Sequence, residues 1–261
     1  MYALAALEAA LKDTIFAGKL CFSQVTGSTN SDALDGARSG APHGSVFFAD
    51  EQTAGRGRGD HGWESLAGQG LYVSVLLRLA LPATQASLLP LAVGLAAVEA
   101  IRVASGLQAD LRWPNDLLIG PRKTGGILVE SKTNQSMLDY AVAGIGINVH
   151  QRAFGSNLAT PATSLDLEAN HPISRQALLI ALLESLERET TLLLDADAGS
   201  AIPARLERTS TWIRGREVEV QGPQACTGVT AGLDENGFLL VNTGAGLIAI
   251  RTGGIRAVKT G

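Results

Sequence analysis

The sequence predicts an α+β protein in which a β-sheet flanked by helices is followed by a small C-terminal domain of strands. Up to residue 211, apolar runs typical of buried strands are interspersed with helical patterns. From residue 212 the composition changes to five short alternating runs, which is typical of a small β-barrel. We therefore expect a larger domain over residues 1–211 and a smaller one over residues 212–261.

The composition is that of a soluble globular protein. With 46% hydrophobic and 18% charged residues, the 261 residues are expected to enclose a sizeable core. The formal net charge of −4 argues against bulk nucleic-acid binding, which needs a basic face. No nucleic-acid partner is predicted, although a local basic site can exist in an acidic protein.

The cysteines and the apolar segments predict a cytoplasmic protein. Cys21 and Cys226 lie far apart and match no metal or redox spacing, so we expect free thiols in a reducing compartment. The longest apolar stretch, residues 88–101, contains Pro90 and Glu99 and is too short to span a bilayer. The N-terminus lacks a signal-peptide pattern, and no membrane association is predicted.

The first elements are a short amphipathic helix over residues 3–16 and a strand over residues 20–25. Three small polar residues follow: Ser28, Thr29 and Asn30. They can cap a helix that runs to about residue 38, with Asp32 completing a capping box with Thr29. They also lie at the carboxyl end of a strand, a frequent ligand position in α/β sheets. The residues alone leave both interpretations open.

A loop rich in glycine and arginine, residues 55–63, lies between predicted strands at residues 45–50 and 70–79. We call it the Gly-Arg loop. Arg56 and Arg58 offer planar donors suited to carboxylate or phosphate. The glycines let backbone N–H groups approach a ligand closely; they are Gly55, Gly57, Gly59 and Gly62. A surface turn with solvated charges is the alternative, and we favour an anion-binding loop.

A buried helix over residues 87–105, tolerating Pro90 in its first turn, precedes a hairpin over residues 110–120. Pro114 and Asn115 are common turn residues and need no functional explanation. A turn accounts less well for the arginine, tryptophan and aspartate that lie next to them. Those neighbours are Arg112, Trp113 and Asp116.

Two strands over residues 123–131 and 138–149 are predicted to pair. Lys123 is either solvated at the strand edge or directed inward at an anion. Gly144 and Gly146 alternate with isoleucines, which exposes one face of the second strand to a closely packed object. The spacing is not that of a dinucleotide-binding turn. Downstream we expect a polar loop over residues 156–170, two helices over residues 174–194 and up to about residue 208, and the C-terminal strands with a hairpin turn at residues 234–237.

Four separate stretches thus carry hydrogen-bond donors, cationic side chains or glycines that allow a ligand to approach the backbone closely. They are residues 28–30, residues 52–58, residues 112–116 with Lys123, and residues 144–148. No nucleophile–histidine–carboxylate set is evident, and the four histidines show no metal spacing. The collection suits an anionic small molecule that meets a nucleotide, with catalysis by charge stabilisation and positioning.

In their residues and in their order along the chain, the motifs resemble those of the biotin–protein ligases (biotin–[acetyl-CoA-carboxylase] ligases). The signatures are the Gly-Arg-Gly-Arg loop, the Arg-Trp-Pro-Asn-Asp turn and the Lys-x-x-Gly-Ile-Leu-x-Glu strand. The resemblance covers residues 28–148 strongly and the C-terminal region more weakly. It implies a mixed sheet flanked by helices, like the catalytic domain of class II aminoacyl-tRNA synthetases, with a C-terminal SH3-like β-barrel.

The resemblance also implies the reaction. Biotin and MgATP would give biotinyl-5′-AMP and pyrophosphate, and a lysine of a biotin carboxyl carrier protein, the acetyl-CoA carboxylase subunit, would then displace AMP. Biotin is thus a substrate, ATP and Mg²⁺ are required, and we expect a monomer or weak homodimer. The core begins near residue 20, which leaves no room for the DNA-binding domain of bifunctional members, so a monofunctional enzyme is expected.

The resemblance assigns a role to each matched residue. Lys123, Arg58 and Asp116 would be catalytic, with Asp116 orienting or deprotonating the acceptor lysine. Biotin would be bound by Ser28, Thr29, Asn30, Gln52, Gly55, Arg56, Gly57, Arg58, Lys123, Gly144 and Gly146. The nucleotide would be bound by Arg56, Arg58, Trp63, Asn115, Lys123 and Asn148, with Trp63 stacking on adenine, and no protein metal site is assigned.

One departure and two rival interpretations remain. Many members continue the loop with basic residues, whereas this chain has Gly59, Asp60, His61 and Gly62. That change weakens the local positive field that would retain the intermediate. A lipoate or octanoate ligase shares the fold class but carries a different loop, and a non-catalytic binding module would have lost one of the catalytic residues.

Overall fold

The computed structural model describes residues 2–59, 61–156, 158–195 and 201–258. The larger part of the chain is built on a seven-stranded sheet with the order β1-β2-β3-β7-β6-β5-β4. β1 and β2 pair in parallel and the other neighbours pair antiparallel, so the sheet is mixed as predicted. The strands are β1 Leu20–Thr26, β2 Ser45–Gln52, β3 Gly70–Leu77, β4 Asp110–Arg112, β5 Asp116–Ile119, β6 Arg122–Asn134 and β7 Met137–Asn148.

Helices cover both faces of this sheet. They are α1 Leu4–Ala10, α2 Thr29–Arg38, α3 Leu89–Ser105, α4 Leu165–Ala169, α5 Arg175–Leu194 and α6 Ile202–Thr209. α3 and α5 pack on one face, where most of the buried side chains form the main core. α2 packs on the other face through Ala33 and Ala37, against Leu76, Tyr140 and Val142. This second, smaller cluster leaves room for a cleft beside α2.

The predicted C-terminal strands form a five-stranded antiparallel sheet with the order β11-β10-β9-β8-β12. They are β8 Arg214–Gln221, β9 Cys226–Leu233, β10 Leu239–Thr243, β11 Gly246–Ile250 and β12 Gly254–Ala257. The turn at residues 234–237 is confirmed by the hydrogen bond from Gly237 N to the Asp234 carbonyl. Within the described residues no ladder joins the edge strands β11 and β12, so a closed barrel stays a prediction.

Several element boundaries differ from those predicted. α1 ends at Ala10 rather than Phe16, because the Thr14 N–H and hydroxyl both bond the Leu11 carbonyl in a tight turn. The loop predicted over residues 156–170 contains the short helix α4.

The predicted capping box is wrong. Ser28 is the N-cap of α2 but makes no side-chain cap bond. The Asp32 carboxylate accepts a bond from the Thr26 hydroxyl at 2.7 Å instead. The Thr29 N–H donates to the Gln52 side chain, so the start of α2 is tied to β2.

One helical segment, Ala83–Ser105, is long and apolar enough by composition to cross a membrane. It joins a 3₁₀ turn, Ala83–Leu88, to α3 and is therefore longer than the apolar stretch recognised in the sequence. Most of its apolar window is buried inside the protein, as in the core helix of a globular domain.

Candidate active site

A cleft of about 690 Å³ opens between α2, the middle of the seven-stranded sheet and the Gly-Arg loop. The β8–β9 turn and residues 253–256 of the second sheet close one side. Its volume lies within the range of small-molecule sites, roughly 300–1,000 Å³. The cleft brings together nearly all of the predicted site residues, namely Ser28, Thr29, Asn30, Gln52, Arg56, Gly57, Arg58, Trp63, Asn115, Asp116, Lys123, Gly144, Gly146 and Asn148.

The end of the cleft beside α2 is lined by hydroxyl and amide groups. Thr29 and Asn30 occupy the first turn of α2 and are only 4% exposed. The Thr29 hydroxyl lies 2.8 Å from the Ser74 hydroxyl on β3, which donates to Asn30 Oδ1 at 2.6 Å. Gln52, at the end of β2, accepts the Thr29 N–H at 2.9 Å. This end can recognise a polar, uncharged ring.

The Gly-Arg loop folds back on itself. Gly57 N–H donates to the His61 carbonyl at 2.7 Å, and Trp63 N–H donates to the Gly55 carbonyl at 2.8 Å. A Cβ on Gly55 would collide with the Trp63 carbonyl, so only glycine fits this crossing. The departure noted at Asp60 lies outside the described residues.

The two loop arginines point to different parts of the cleft. Arg56 forms an ion pair with Glu130 on β6 and lies 3.3 Å from the Ser31 hydroxyl. Arg58 donates to the carbonyl of Gly253, in the segment that precedes β12, at 2.7 Å. Burial lowers the pKa of Arg58 and the charge of Asp116 opposes that effect, but an arginine stays charged throughout the physiological range.

Trp63 lies over the floor of the cleft. A Cβ atom built on Gly146 would lie 2.6 Å from its indole ring, so this glycine makes room for it. The ammonium group of Lys123 lies 5.6 Å from the ring centroid, a distance typical of cation–π contacts. The indole Nε1 is buried without a hydrogen-bond partner within the described residues, so it is available to a ligand acceptor.

Lys123, Asp116 and Arg112 form a charged cluster at the other end of the cleft. Asp116 forms ion pairs with Lys123 and with Arg112, whose Nη2 lies 2.6 Å from the carboxylate. Burial raises the pKa of Asp116, but the two cations outweigh it, and the net pKa lies below the usual aspartate value. Asp116 is therefore ionised at neutral pH and holds the Lys123 ammonium in place.

Two asparagines fix the surrounding backbone. Asn115 Nδ2 donates to the Ile127 carbonyl at 2.8 Å, and Ile127 N–H returns a bond to the Asn115 carbonyl at 2.9 Å. Asn148 Nδ2 donates to the Thr163 carbonyl at 3.0 Å. Asn148 Oδ1 accepts no hydrogen bond within the described part of the chain and is available to a ligand donor. Asn115 Oδ1 accepts a long hydrogen bond from Arg58 Nη1 at 3.5 Å.

The glycines of β7 leave space that neighbouring side chains occupy. A Cβ on Gly144 would overlap Asn30 Oδ1, and one on Gly146 would overlap the Trp63 indole. The predicted close packing over this face is thus formed by the protein's own polar and aromatic groups. Direct contact of these two glycines with biotin stays a prediction.

Ser74 and Gly253, which line the cleft, and Glu130, which pairs with Arg56, were not among the predicted site residues. Ser74 lies within an apolar strand, where a buried serine has no distinguishing pattern. Glu130 is the last residue of the Lys-x-x-Gly-Ile-Leu-x-Glu motif. Its negative charge, opposite to that of the loop arginines, could have indicated an ion pair with the loop. Gly253 is 195 residues from Arg58 in the chain, and only the tertiary fold brings the two together.

The described residues contain no cluster of three or more histidine, cysteine or acidic side chains that could hold a metal ion. Two carboxylates line the cleft: Asp116 is paired with Lys123 and Arg112, and Glu64 accepts a hydrogen bond from Gln151 Nε2 at 2.9 Å. Mg²⁺ commonly takes one or two carboxylates, waters and substrate phosphates as ligands. The donor set therefore fits an ion carried mainly by a nucleotide.

The fold and the cleft define a class of protein. The profile of the Biotin/lipoate A/B protein ligase family matches residues 22–148. This range includes α2, the Gly-Arg loop and the cleft-lining parts of β6 and β7.

Similar proteins and solved structures show which members of this family the chain resembles. A biotin--[acetyl-CoA-carboxylase] ligase of Mycobacterium tuberculosis is 33% identical over 236 residues, which is 88% of this chain and 85% of that protein. A bifunctional ligase/repressor BirA of Bacillus spizizenii is 37% identical over 180 residues, which is 68% of this chain and 55% of that protein. The biotin protein ligase of Aquifex aeolicus in complex with biotin and ATP superposes with a TM-score of 0.78 at 28% identity, covering 93% of this chain and all of that one. The chain belongs to the biotin protein ligases.

Proposed function

We propose that this protein is an ATP-dependent ligase that activates biotin as biotinyl-5′-AMP and transfers the biotinyl group to a specific lysine of a biotin carboxyl carrier protein. The observation that carries the proposal is the polarity of the cleft. One end is an uncharged chain of hydroxyls and amides, and the other is a cluster of cations around Lys123. That division matches a substrate with a polar ring and a carboxylate.

In the first step, a carboxylate oxygen of biotin attacks the α-phosphorus of ATP and pyrophosphate leaves. Both reactants are anions, so the reaction needs nearby cations to offset their repulsion. Lys123 is proposed to bond the carboxylate and phosphate oxygens. Arg56 and Arg58 lie on the loop above it and are proposed to bind the α-phosphate side.

The ring of biotin is proposed to bind Ser28, Thr29, Asn30 and Gln52, with Gly55 and Gly57 letting the backbone of the Gly-Arg loop approach the ligand closely. Trp63 is proposed to stack on adenine, while Asn148 and Asn115 bond the nucleotide. Support comes from the position of these residues, Gly55 excepted, in the lining of the same cleft. Aromatic faces and amide edges are the usual partners of a purine.

In the second step, the lysine amine of the carrier attacks the carbonyl carbon of the mixed anhydride, and AMP leaves. Asp116 is the carboxylate nearest to Lys123. With a lowered pKa it is a weak base, so the role that its chemistry favours is to orient the incoming ammonium by charge, and that group gives its proton to solvent before the amine attacks.

Mg²⁺, when bound to the triphosphate, would neutralise charge on the leaving pyrophosphate. Asn115 is the residue proposed to contact the ion or the phosphates, because Asp116 is already paired with Lys123 and Arg112. The resemblance further suggests an SH3-like barrel over residues 212–261, a catalytic domain over residues 1–211, a cytoplasmic location and a monomer or weak homodimer. These assignments complete the proposal.

The proposal is tested with purified protein, biotin, MgATP and a biotin carboxyl carrier protein. The expected result is a mass increase of one biotinyl group on a single carrier lysine. A carrier in which that lysine is replaced by arginine is the control. Transfer of lipoyl or octanoyl groups instead would reassign the protein to the sister ligases, and absence of any transfer would favour a binding module.

A further inference from the structure

Arg112 and Lys123 bond different oxygens of the Asp116 carboxylate. Arg112 Nε and Nη2 lie 3.2 and 2.6 Å from Asp116 Oδ2, while Lys123 Nζ pairs with Oδ1. Charge-assisted bonds from a planar guanidinium fix the orientation of a carboxylate as well as its position. Because Oδ2 is fixed by Arg112, the place of Oδ1 is fixed too, and with it the place of the Lys123 ammonium group.

The same guanidinium also bonds the segment that holds the backbone of Lys123. Arg112 Nη2 donates to the Thr160 hydroxyl at 2.9 Å, and its side chain is only 7% exposed. Directly after Thr160, the Pro161 carbonyl accepts the Lys123 N–H at 2.8 Å, and the Thr163 N–H donates to the Lys123 carbonyl at 2.9 Å. Arg112 thus joins the carboxylate that pairs with the Lys123 side chain to the segment that fixes its main chain.

The guanidinium of Arg112 lies over the ring of Trp212, a residue that precedes β8. The distance from Arg112 Cζ to the ring centroid is 5.2 Å, and Trp212 is 5% exposed. The Ser210 hydroxyl fixes Trp212 beside β4, since it accepts the Trp212 N–H at 3.1 Å and donates to the Leu111 carbonyl at 2.8 Å. A second guanidinium, that of Arg216, lies 4.3 Å from the same ring but is exposed.

We propose that Trp212 and Arg112 are positioning residues: Trp212 holds the Arg112 guanidinium, which in turn orients Asp116 toward Lys123. The inference rests on the proposed function, in which Lys123 bonds the reacting carboxylate and phosphate oxygens. Displacing a reacting group by about 1 Å can lower a rate by roughly 100-fold, so the position of this ammonium group matters. Trp212 is not among the residues that line the cleft, so it acts on the reaction without touching the substrates.

Five variants separate positioning from folding. Arg112→Gln removes the guanidinium but leaves Asp116 paired with Lys123, so no buried carboxylate loses its last cation. Arg112→Lys keeps the charge without the planar fork. Trp212→Leu removes the ring and keeps an apolar side chain, whereas Trp212→Phe keeps an aromatic face. Arg216→Gln is the matched control, because it removes the other guanidinium from the same ring at an exposed position.

The test is single-turnover formation of biotinyl-5′-AMP by the full chain at saturating biotin and MgATP, with calorimetric binding of biotin measured alongside. Arg112→Gln should lower the saturated rate by roughly tenfold or more, and Trp212→Leu by roughly fivefold or more. Arg112→Lys should lower it by roughly threefold or more, and Trp212→Phe less than Trp212→Leu. Arg216→Gln should stay within about twofold. The dissociation constant of biotin should stay within about threefold in all five, because only the positioning of Lys123 has changed.

A double-mutant cycle tests the order of action. Because Trp212 acts through Arg112, Trp212→Leu should lower the rate no further in a protein that already carries Arg112→Gln. If the two effects multiply instead, Trp212 acts by another route and the inference is wrong.

Other outcomes also decide between the claims. An unchanged saturated rate in folded Arg112→Gln protein would overturn the inference, and so would a rise in the half-saturating ATP concentration alone, which would assign Arg112 to phosphate binding. If Arg112→Gln does not fold, an unchanged rate in Arg112→Lys or Trp212→Leu has the same force. If the folded, unsubstituted protein forms no biotinyl-5′-AMP, the proposed function itself fails and the inference fails with it.

Discussion

At the scale of single residues, Lys123 concentrates the proposed chemistry. Its ammonium group is held by Asp116, and its backbone bonds the carbonyl of Pro161 and the N–H of Thr163. We predict that Lys123→Ala lowers the rate of biotin adenylation by roughly 100-fold or more, because one preorganised charge commonly contributes that much to a transition state. Lys132→Ala, on the exposed part of the same strand, should leave the rate unchanged. The measurement is single-turnover formation of biotinyl-5′-AMP.

Asp116 gives the protein a pH-dependent stability of predictable sign. Its pKa is lowered in the folded protein, so the folded state is stabilised above the unfolded pKa and loses that stabilisation as pH falls through the folded pKa. Urea unfolding should therefore show the unsubstituted protein more stable than Asp116→Asn at pH 7. The difference should shrink below about pH 4, where aspartate in the unfolded chain becomes protonated.

The exposed pair Asp35–Arg38 supplies the control, because exposed ion pairs contribute little. Asp35→Asn should change the free energy of unfolding by less than about 0.5 kcal/mol at either pH. A gap between Asp116→Asn and the unsubstituted protein that stays constant or widens on acidification would contradict the account.

Charged residues that lie among glycines could be predicted from the sequence as site residues. Residues that act only through tertiary contacts with other side chains could not. Arginines among glycines, and a lysine beside Gly125 and Gly126, have few purely architectural explanations. Ser74 has nothing to mark it, since a small hydroxyl fits an apolar strand at little cost. Its importance follows only from tertiary partners on α2.

At the scale of elements, the Gly-Arg loop joins the cleft to the second sheet through Arg58. We predict that it is mobile without ligands and orders when biotin and ATP bind, which would exclude water from a hydrolysable intermediate. Trypsin cleavage after Arg56 and Arg58 should then slow by roughly tenfold or more when both ligands are present. Cleavage after Arg216, an exposed residue of β8, is the internal control. Equal slowing at all three sites would indicate global stabilisation, and no slowing would contradict loop closure.

The packing of α3 against the hairpin formed by β4 and β5 depends on Gly94. A Cβ at this position would overlap the side chain of Leu111, which is 1% exposed and cannot move aside easily. Gly94→Ala should lower the free energy of unfolding by roughly 1–3 kcal/mol, although alanine favours helices. Gly244→Ala, where a Cβ meets nothing within 4 Å, should change it by less than about 0.5 kcal/mol. Urea unfolding measures both.

Most helices and strands could be predicted because the spacing of apolar residues, and the glycines at the ends of elements, agree with the tertiary structure. Gly106, for example, ends α3 with a φ of 74°, a conformation that glycine adopts without strain. The failures lie where tertiary bonds override local signals. The Thr29 N–H bonds Gln52 instead of a capping side chain, and α1 stops before its aliphatic pattern does.

At the scale of the whole molecule, the second sheet shares the main core with the first. Trp212, Val218 and Leu239 belong to the same cluster of buried side chains as α3, and Trp113 Nε1 donates to the Gly237 carbonyl at 3.1 Å. We predict one cooperative unfolding transition, with tryptophan fluorescence and far-ultraviolet circular dichroism changing together. Two separated transitions would show that the predicted domains are independent. The sequence predicted the boundary from composition but carried no sign of this shared core.

Adenylation of biotin in this cleft can be measured by ATP–pyrophosphate exchange with biotin, lipoate and octanoate supplied separately. We expect exchange that depends on biotin, is absent with the other two acids and is lost in Lys123→Ala. Exchange with lipoate or octanoate but not biotin would contradict the assignment of the substrate. No exchange with any acid, from protein that unfolds cooperatively, would contradict the claim that the cleft is catalytic.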